Sequence, residues 1–255
     1  MNVMTRFTAA FRHVWPIFKR EFGAYFATPL AYVFIVIFLF TMGAFTFYVG
    51  HFYERGIADL SDSFFAFHPW LYLFLVPAIS MRLWADERRT GTMELLLTLP
   101  VPLWATVVGK YLAAWVFTGI ALALTFPIWL TVNFLGQPDN GVVVASYIGS
   151  FLVAGGYLAI GACISATTSN QVIAFVVSVV VCFLFTVSGS PMVLDVFRSW
   201  APQALTEAIA SFSFVTHFTS ITQGVLDFRD LVFFFSLIAL FLAANIVVVD
   251  LKKGG

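Results

Sequence analysis

The sequence predicts an all-α, polytopic membrane protein with six transmembrane helices, forming a single membrane domain over residues 1–255. Composition is the first observation behind that expectation. Hydrophobic residues make up 61% of the chain and charged residues 10%, with a mean hydropathy of +0.95; a soluble domain carries roughly 25% charged residues. The 31 phenylalanines are more large apolar side chains than a core of this size can hide from water, so lipid is the solvent for much of the surface. The second observation is a set of six apolar stretches near the length of about 20 residues that a spanning helix needs. The third is a one-sided placement of Lys and Arg around those stretches.

Residues 1–27 precede the spans and are amphipathic. Phe7, Phe11, Trp15, Phe18, Phe22 and Phe26 recur at three- and four-residue steps, while Arg12, Lys19, Arg20 and Glu21 face elsewhere. A helix of this pattern lies in the membrane interface, its aromatic stripe in the acyl boundary and its cations toward the headgroups. The pattern suits a plain anchor and a docking surface equally. Arg6, Arg12, Lys19 and Arg20 leave no continuous apolar run, so no cleaved signal peptide is expected and the first span serves as an uncleaved anchor.

The spans follow in order. Leu30–Gly50 is free of charge, and Phe64–Leu83 carries Pro69 near its start and Pro77 inside, so it is expected to be kinked or broken. Tyr111–Leu135 has Pro127 as a further kink; Val142–Ala166, Val172–Leu194 and Leu231–Val249 complete the set. The polar stretches Gly136–Gly141 and Thr167–Gln171 fit tight hairpins between neighbouring spans. Gly155/Ala159, Gly161/Ser165 and Ala162/Ala166 give the fourth span small-residue faces suited to close helix approach, within this chain or with another. Cys163 and Cys182 lie inside apolar runs and read as small buried hydrophobes.

Six spans put the N-terminus, the second-to-third loop, the fourth-to-fifth loop and the C-terminus on one side. That side holds Arg6, Arg12, Lys19, Arg20, Arg82, Arg88, Arg89, Lys110, Lys252 and Lys253, against Arg55, Arg198 and Arg229 on the other. The bias places both termini in the cytoplasm of a multi-pass protein of the plasma membrane or bacterial inner membrane.

The loop after the second span is the most informative segment. Asp86–Arg89 is the densest charge cluster in the chain, followed by a short apolar helix candidate closed by Pro100 and Pro102. Charge alone suits either a solvated hairpin or a small helix inserted into a cleft of a cytoplasmic partner. No G-x-x-x-x-G-K-[ST] loop occurs; Gly109-Lys110 lacks the leading glycine and the trailing Ser/Thr, so this chain has no such device for cradling ATP phosphates. His51, His68 and His217, with Asp59, Asp62 or Glu207, would be the pieces of an intramembrane enzyme. They form neither an H-E-x-x-H pair nor a G-x-S-x-G elbow, and no catalytic or metal site is expected. No acid or base falls in mid-span, which removes the usual mark of a proton relay. Asn133, Asn245 and Gln171 read as helix–helix hydrogen-bonding or end residues. Walls of Phe and Val fit a lipid-like or amphipathic substrate, and fit equally a protein that transmits force and moves nothing.

The stretch PAISMRLWADERRTGTMELLLTLPVPLWATVVGKYLAAW (Pro77–Trp115) resembles the ABC-2 permease family, whose signature is an acidic-basic pair, a Gly-Thr-x-Glu-x-Leu-Leu run and a Gly-Lys at the third helix. FKREFGAYFATPLAYVF (Phe18–Phe34) resembles the N-terminal part of the same family, with the nearest likeness to its gliding-motility-type and nitrous-oxide-accessory permeases. The resemblance implies a permease subunit that couples ATP hydrolysis on a separate nucleotide-binding chain to export. The substrate would be unidentified and amphipathic; the alternative is a mechanotransmission or maturation scaffold that moves none. It implies that residues 84–102 form a coupling helix docked on that ATPase through Glu87, Arg88, Arg89, Gly91, Thr92, Glu94 and Leu96, with Lys110 also matching the motif. Phe11, Trp15, Phe18, Arg20 and Phe22 would belong to the interface helix. Residues 188–230 would hold short re-entrant or surface helices on the outer side, with Trp200, Pro202, Phe212 and Phe214 suited to an interface. The implied partners are an ATPase dimer carrying ATP and Mg, a second permease copy or paralogue, an auxiliary extracytoplasmic protein and the bilayer. No cofactor of this chain's own and no nucleic acid are implied.

Overall fold

The computed structural model describes residues 3–93, 101–198 and 201–252, and the regular structure among them is all helical. Helix α1 (Val3–Phe26) is the amphipathic segment. A two-residue turn leads to α2 (Pro29–Ala44), with proline in its first turn, where a missing N–H removes no helix bond. A π turn, Phe45–Val49, extends α2 to Gly50. A Cβ on Gly50 would stand 2.5 Å from the Ser63 carbonyl oxygen, so the absent side chain lets the returning loop close on the helix end. The loop carries the single turn α3 (Phe52–Arg55) and a 3₁₀ turn, Phe65–Phe67, before α4 (His68–Ser80) and α5 (Arg82–Thr90). Then come α6 (Leu103–Ala123), α7 (Phe126–Leu135), α8 (Asn140–Ser165) and α9 (Gln171–Val187). Three short helices, α10 (Pro191–Arg198), α11 (Gln203–Ala210) and α12 (Phe214–Thr222), precede α13 (Phe228–Leu251).

Helix α8 is the axis of the bundle, with α4, α6, α9, α12 and α13 packed around it. The sequence reason is its small residues. A Cβ at Gly155 would meet the Trp115 indole of α6 at 2.8 Å, one at Gly156 the Phe214 ring of α12 at 2.5 Å, and one at Gly161 the Ser80 Cβ of α4 at 2.8 Å. The predicted small-residue faces therefore serve helices of this same chain. Polar groups bridge the same contacts: Tyr111 donates to the Gly155 carbonyl at 3.1 Å, Trp115 to the Phe151 carbonyl at 2.9 Å, and the Tyr157 and Thr186 hydroxyls meet at 2.5 Å. Such bonds add to packing where lipid removes the hydrophobic drive between helices. Asp139 and Asn170 cap α8 and α9 by accepting from the first free backbone N–H groups, which fixes the hairpin ends.

The spans differ from the six expected in three places. Among the described residues, four helical stretches are long and apolar enough to cross a membrane: Pro29–Arg55, Leu103–Leu135, Asn140–Ser165 and Phe228–Leu251. A fifth is reached if Gln171–Val187 and Pro191–Phe197 count as one span bent by 80°. The predicted Val172–Leu194 span thus ends early, because Gly189 is pressed against Ser213, whose Cβ would lie 2.6 Å from an added methyl, and Pro191 starts a new helix. The Phe64–Leu83 span, expected to be kinked or broken, consists of the 3₁₀ turn Phe65–Phe67 and the 13-residue α4, whose own rise of about 20 Å falls short of the roughly 30 Å hydrocarbon layer. Its buried face, including Tyr72, Val76 and Ile79, shows that protein covers the break. The third stretch begins at Leu103, directly after Pro102, rather than at Tyr111.

The close approach at Gly161 is testable. Gly161→Ala is expected to destabilise the purified protein by about 1–3 kcal/mol through overpacking. Adding Ser80→Gly, which removes the opposing Cβ, restores most of it. Thermal unfolding midpoints of the two variants in one detergent check the pair.

Candidate functional site

The charged segment folds as α5, and its geometry is set by other helices. Met81 links α4 to α5 without a side-chain cap of its own. The cap comes from α8: Ser165 Oγ accepts from the Trp84 and Ala85 N–H groups at 3.2 and 3.1 Å and donates to the Met81 carbonyl at 2.8 Å. Leu83, Trp84 and Ala85 are buried by this docking. The far end stops at Gly91, whose φ of +72° is the left-handed closure that glycine adopts without penalty. Side chains beyond the cap add to the attachment. Arg88 Nη1 donates to the Ala166 carbonyl at 3.1 Å, and Gln171 Nε2 donates to Asp86 at 2.8 Å. Asp86 also receives Arg89 at 2.9 Å, and Lys252 reaches the Thr167 carbonyl beside them.

Glu87 turns inward and meets Lys110. The Lys110 ammonium, with its side chain 3% exposed, lies 2.6 Å from Glu87 Oε1 and 3.2 Å from Glu21 Oε2. The Trp84 ring stands 5.5 Å from Nζ, and Arg20 pairs with Glu21 at 2.5 Å. Two cations and two carboxylates thus close a neutral cluster that joins α1, α5 and α6. Lys110 lies seven residues after the start of the Leu103–Leu135 stretch, so this buried charge is near the end of the stretch and not in mid-span. Burial by itself would push the Glu21 carboxyl up, but the Lys110 ammonium and the Arg20 guanidinium outweigh it and hold Glu21 below the ordinary value of 4.5.

Helix α1 reaches this cluster because α6 lets it close in. A Cβ at Gly109 would stand 2.9 Å from the Ile17 side chain and 3.3 Å from the Val14 carbonyl oxygen. The Gly-Lys pair therefore has two parts: Gly109 admits α1, and Lys110 binds it. On α1, Trp15 stacks on Phe18 and Phe18 on Phe22, each with ring centroids 5.5 Å apart, and Phe22 meets Phe26 edge-on. From Trp15 to Phe26 the predicted aromatic stripe is one continuous ladder. Tyr25 and Phe26 carry it on to Phe117 of α6.

The remaining predicted residues separate by direction. Arg89, Gly91 and Thr92 are exposed, whereas Arg88 is partly buried on its own chain and Glu87 faces Lys110. Glu94 and Leu96 lie outside the described residues, as does Trp200, and nothing is described of the Phe11 side chain. Ser165, Ala166, Trp84 and Glu21 join the site without having been singled out for it. Ser165 and Ala166 had a signal, as small residues at the end of the fourth span. The histidines stay apart: His51 pairs with Glu54, His68 bonds Ser150 inside the bundle, and His217 pairs with Asp230 at 2.6 Å. Among the described residues no group of three or more His, Cys, Asp or Glu could hold a metal.

Comparison with known proteins bears on this arrangement. The profile of the family described as "ABC-2 family transporter protein" matches residues 51–249, which include α5, Lys110 and α8. Heme exporter protein B of Rhodobacter capsulatus is 36% identical over 70 residues, 27% of this chain and 32% of that protein. Heme exporter protein B of Paracoccus denitrificans is 35% identical over 80 residues, 31% of this chain and 37% of that protein. The similarity spans about a third of the length of these curated relatives.

The cluster makes two predictions. Lys110→Met leaves two carboxylates buried without their cation and is expected to destabilise by about 3–5 kcal/mol, with Lys110→Met/Glu87→Gln recovering part of the loss. Because Glu21 is held low, its stabilising contribution is fully present above about pH 4.5 and fades as pH falls through its folded-state value. Wild type and Glu21→Gln should therefore differ in thermal midpoint at neutral pH and converge in acid. Both are read by unfolding scans across pH.

Proposed function

The chain belongs to the ABC-2 transporter family, as the membrane-spanning permease subunit of an ABC transporter, and from that premise we propose that it couples ATP hydrolysis on a separate nucleotide-binding dimer to export. Residues 84–102 act as the coupling helix on the cytoplasmic face, with α1 as the interface helix beside it. The observation that carries this reading is the Lys110 cluster: Glu87 of the elbow and Glu21 of α1 hold one ammonium of α6, so a push on the elbow moves the other two. Arg89 and Thr92 are exposed on the elbow and present the contact surface, together with Glu94 and Leu96 from the sequence motif.

Six spans complete this topology, with α4 and its flanking turns as the short second crossing and both termini inside. A second permease copy or paralogue supplies the other membrane half, and α10 to α12 lie on the outer side near any auxiliary protein. The matched relatives are named as heme exporters, which supports outward movement of an amphipathic cargo. A second reading, force transmission without cargo, is favoured by the centre of the bundle, where Tyr157, Leu158 and Phe234 are fully packed. The likeness of Pro77–Trp115 to gliding-motility-type permeases supports the same alternative.

Arg89→Glu is the clean test of docking, because Arg88 also holds the elbow to Ala166. The charge reversal is expected to weaken binding of the ATPase subunit on the order of tenfold and to lower ATPase stimulation, with the permease fold unchanged. Co-purification from native membranes and ATP turnover of the complex read the outcome. Unchanged binding and stimulation in Arg89→Glu and in Glu94→Lys would remove the coupling assignment, and net substrate movement in vesicles separates export from force transmission.

A further inference from the structure

A cavity of about 410 Å³ opens between α1, α2, α4, α5 and α6, beside the Lys110 cluster. One end is charged, with Arg82 and Glu87 on its wall; the other is apolar, with Phe34, Ile37, Leu75 and Phe117. The gradient runs along α2 from Pro29 to Ile37, eight steps of the helix and about 12 Å. The outer face of α2 at the mouth is apolar and half exposed, at Leu30 50%, Val33 51% and Ile37 48%. A molecule lying here has its head at the charged end of the bundle and its tail along hydrocarbon, the order of a lipid in a leaflet.

The head group follows from two unmet capacities. Glu87 Oε1 is taken by Lys110, but Glu87 Oε2 is buried and accepts no hydrogen bond. It calls for an N–H or O–H donor. Arg82, with its side chain 41% exposed, faces Asp86 at 3.9 Å, beyond hydrogen-bond reach, and Asp86 is already bonded by Arg89 and Gln171. Its guanidinium retains donors for a phosphate. Lys110 offers no second anion site, since two carboxylates already hold it. The wall thus offers one free acceptor and one free cationic donor side by side, Glu87 Oε2 and Arg82, which suits a head that carries both a cation and an anion.

We propose that this cavity binds one zwitterionic ethanolamine phospholipid, its phosphate on Arg82, its primary ammonium on Glu87 Oε2 and one acyl chain along Phe34 and Leu75. Choline heads match the charge but bring no N–H, and glycerol heads bring a hydroxyl without the cation. The site is independent of the coupling assignment, because it rests on the cavity and its two unmet groups.

The test is native mass spectrometry of the full chain released from nanodiscs holding equal ethanolamine, choline and glycerol phospholipids with identical acyl chains. Ethanolamine lipid is expected to be retained over choline lipid roughly tenfold, the factor supplied by one hydrogen bond to a charged group. In Glu87→Gln, whose amide turns an N–H toward the ammonium while its oxygen stays on Lys110, the preference should vanish. In Ala78→Phe, which fills the apolar wall, retention of every lipid should fall. Equal retention of choline and ethanolamine lipids by the wild type overturns the proposal, as does a preference for the glycerol lipid. A cross-link between Ile37→Cys residues of two copies that persists with the cavity closed to lipid also overturns it, by assigning the space to a second copy. The wild-type preference and Ala78→Phe decide the matter even where Glu87→Gln folds poorly.

Discussion

The Lys110 ammonium cannot stand alone in the interior of this bundle. Removing one such charge from water costs several kcal/mol even after relaxation, and that cost is offset only by carboxylates in direct contact. Glu21 and Glu87 must therefore lie within reach of α6, and the two helices that carry them are brought there by that requirement. Arg20 balances the second carboxylate and the Trp84 ring covers the site from α5. Gly109 lies next to Lys110 because α1 has to come close enough for Glu21 to arrive. A surface helix, a charged elbow and a spanning helix, far apart in the chain, are held in one register by a single cation.

The elbow is also held from the opposite side. Ser165, the Ala166 carbonyl and Gln171 at the α8–α9 turn take its backbone and side-chain bonds, so α5 bridges the Lys110 cluster and the central helix. That attachment depends on α8 being in the middle, which its glycines permit by admitting Trp115, Phe214 and Ser80 at contact distance. Packing at the core and charge at the edge are thus parts of one support. An element fixed at both ends passes on a displacement instead of absorbing it, which is what a permease driven by a separate ATPase needs.

Much of the fold was legible because the bilayer imposes a simple rule. Long apolar stretches had to be helices, the step of Trp15, Phe18 and Phe22 had to make a stripe, and Gly155 and Gly161 had to mark close approach. What hydropathy does not carry is where a helix stops for tertiary reasons. The break at Met81 is set by the distant Ser165 cap, and Met192–Leu194 is apolar enough to read as span although Gly189 and Pro191 turn the chain there. Direction within the charge cluster was equally hidden: Asp86–Arg89 is dense in sequence, but only the partners show that Glu87 turns to Lys110 and Arg88 to Ala166 while Arg89 stays exposed. The two glutamates and the lysine that matter most are separated by more than twenty residues at each step, and no local pattern links them.

The central claim is that α1, α5 and the start of α6 move as one body. Spin labels at the exposed positions Lys19, Arg89 and Trp104 report their mutual distances, and a label at the exposed Met192 of α10, away from the α8–α9 turn that holds the elbow, gives an outside reference. Pulsed electron–electron resonance on the complex with its ATPase, with and without a trapped nucleotide, would measure both sets. The account predicts that distances among the first three stay constant while those to the reference shift. An elbow label that moves against α1 and α6 while the Lys110 cluster is intact would contradict it.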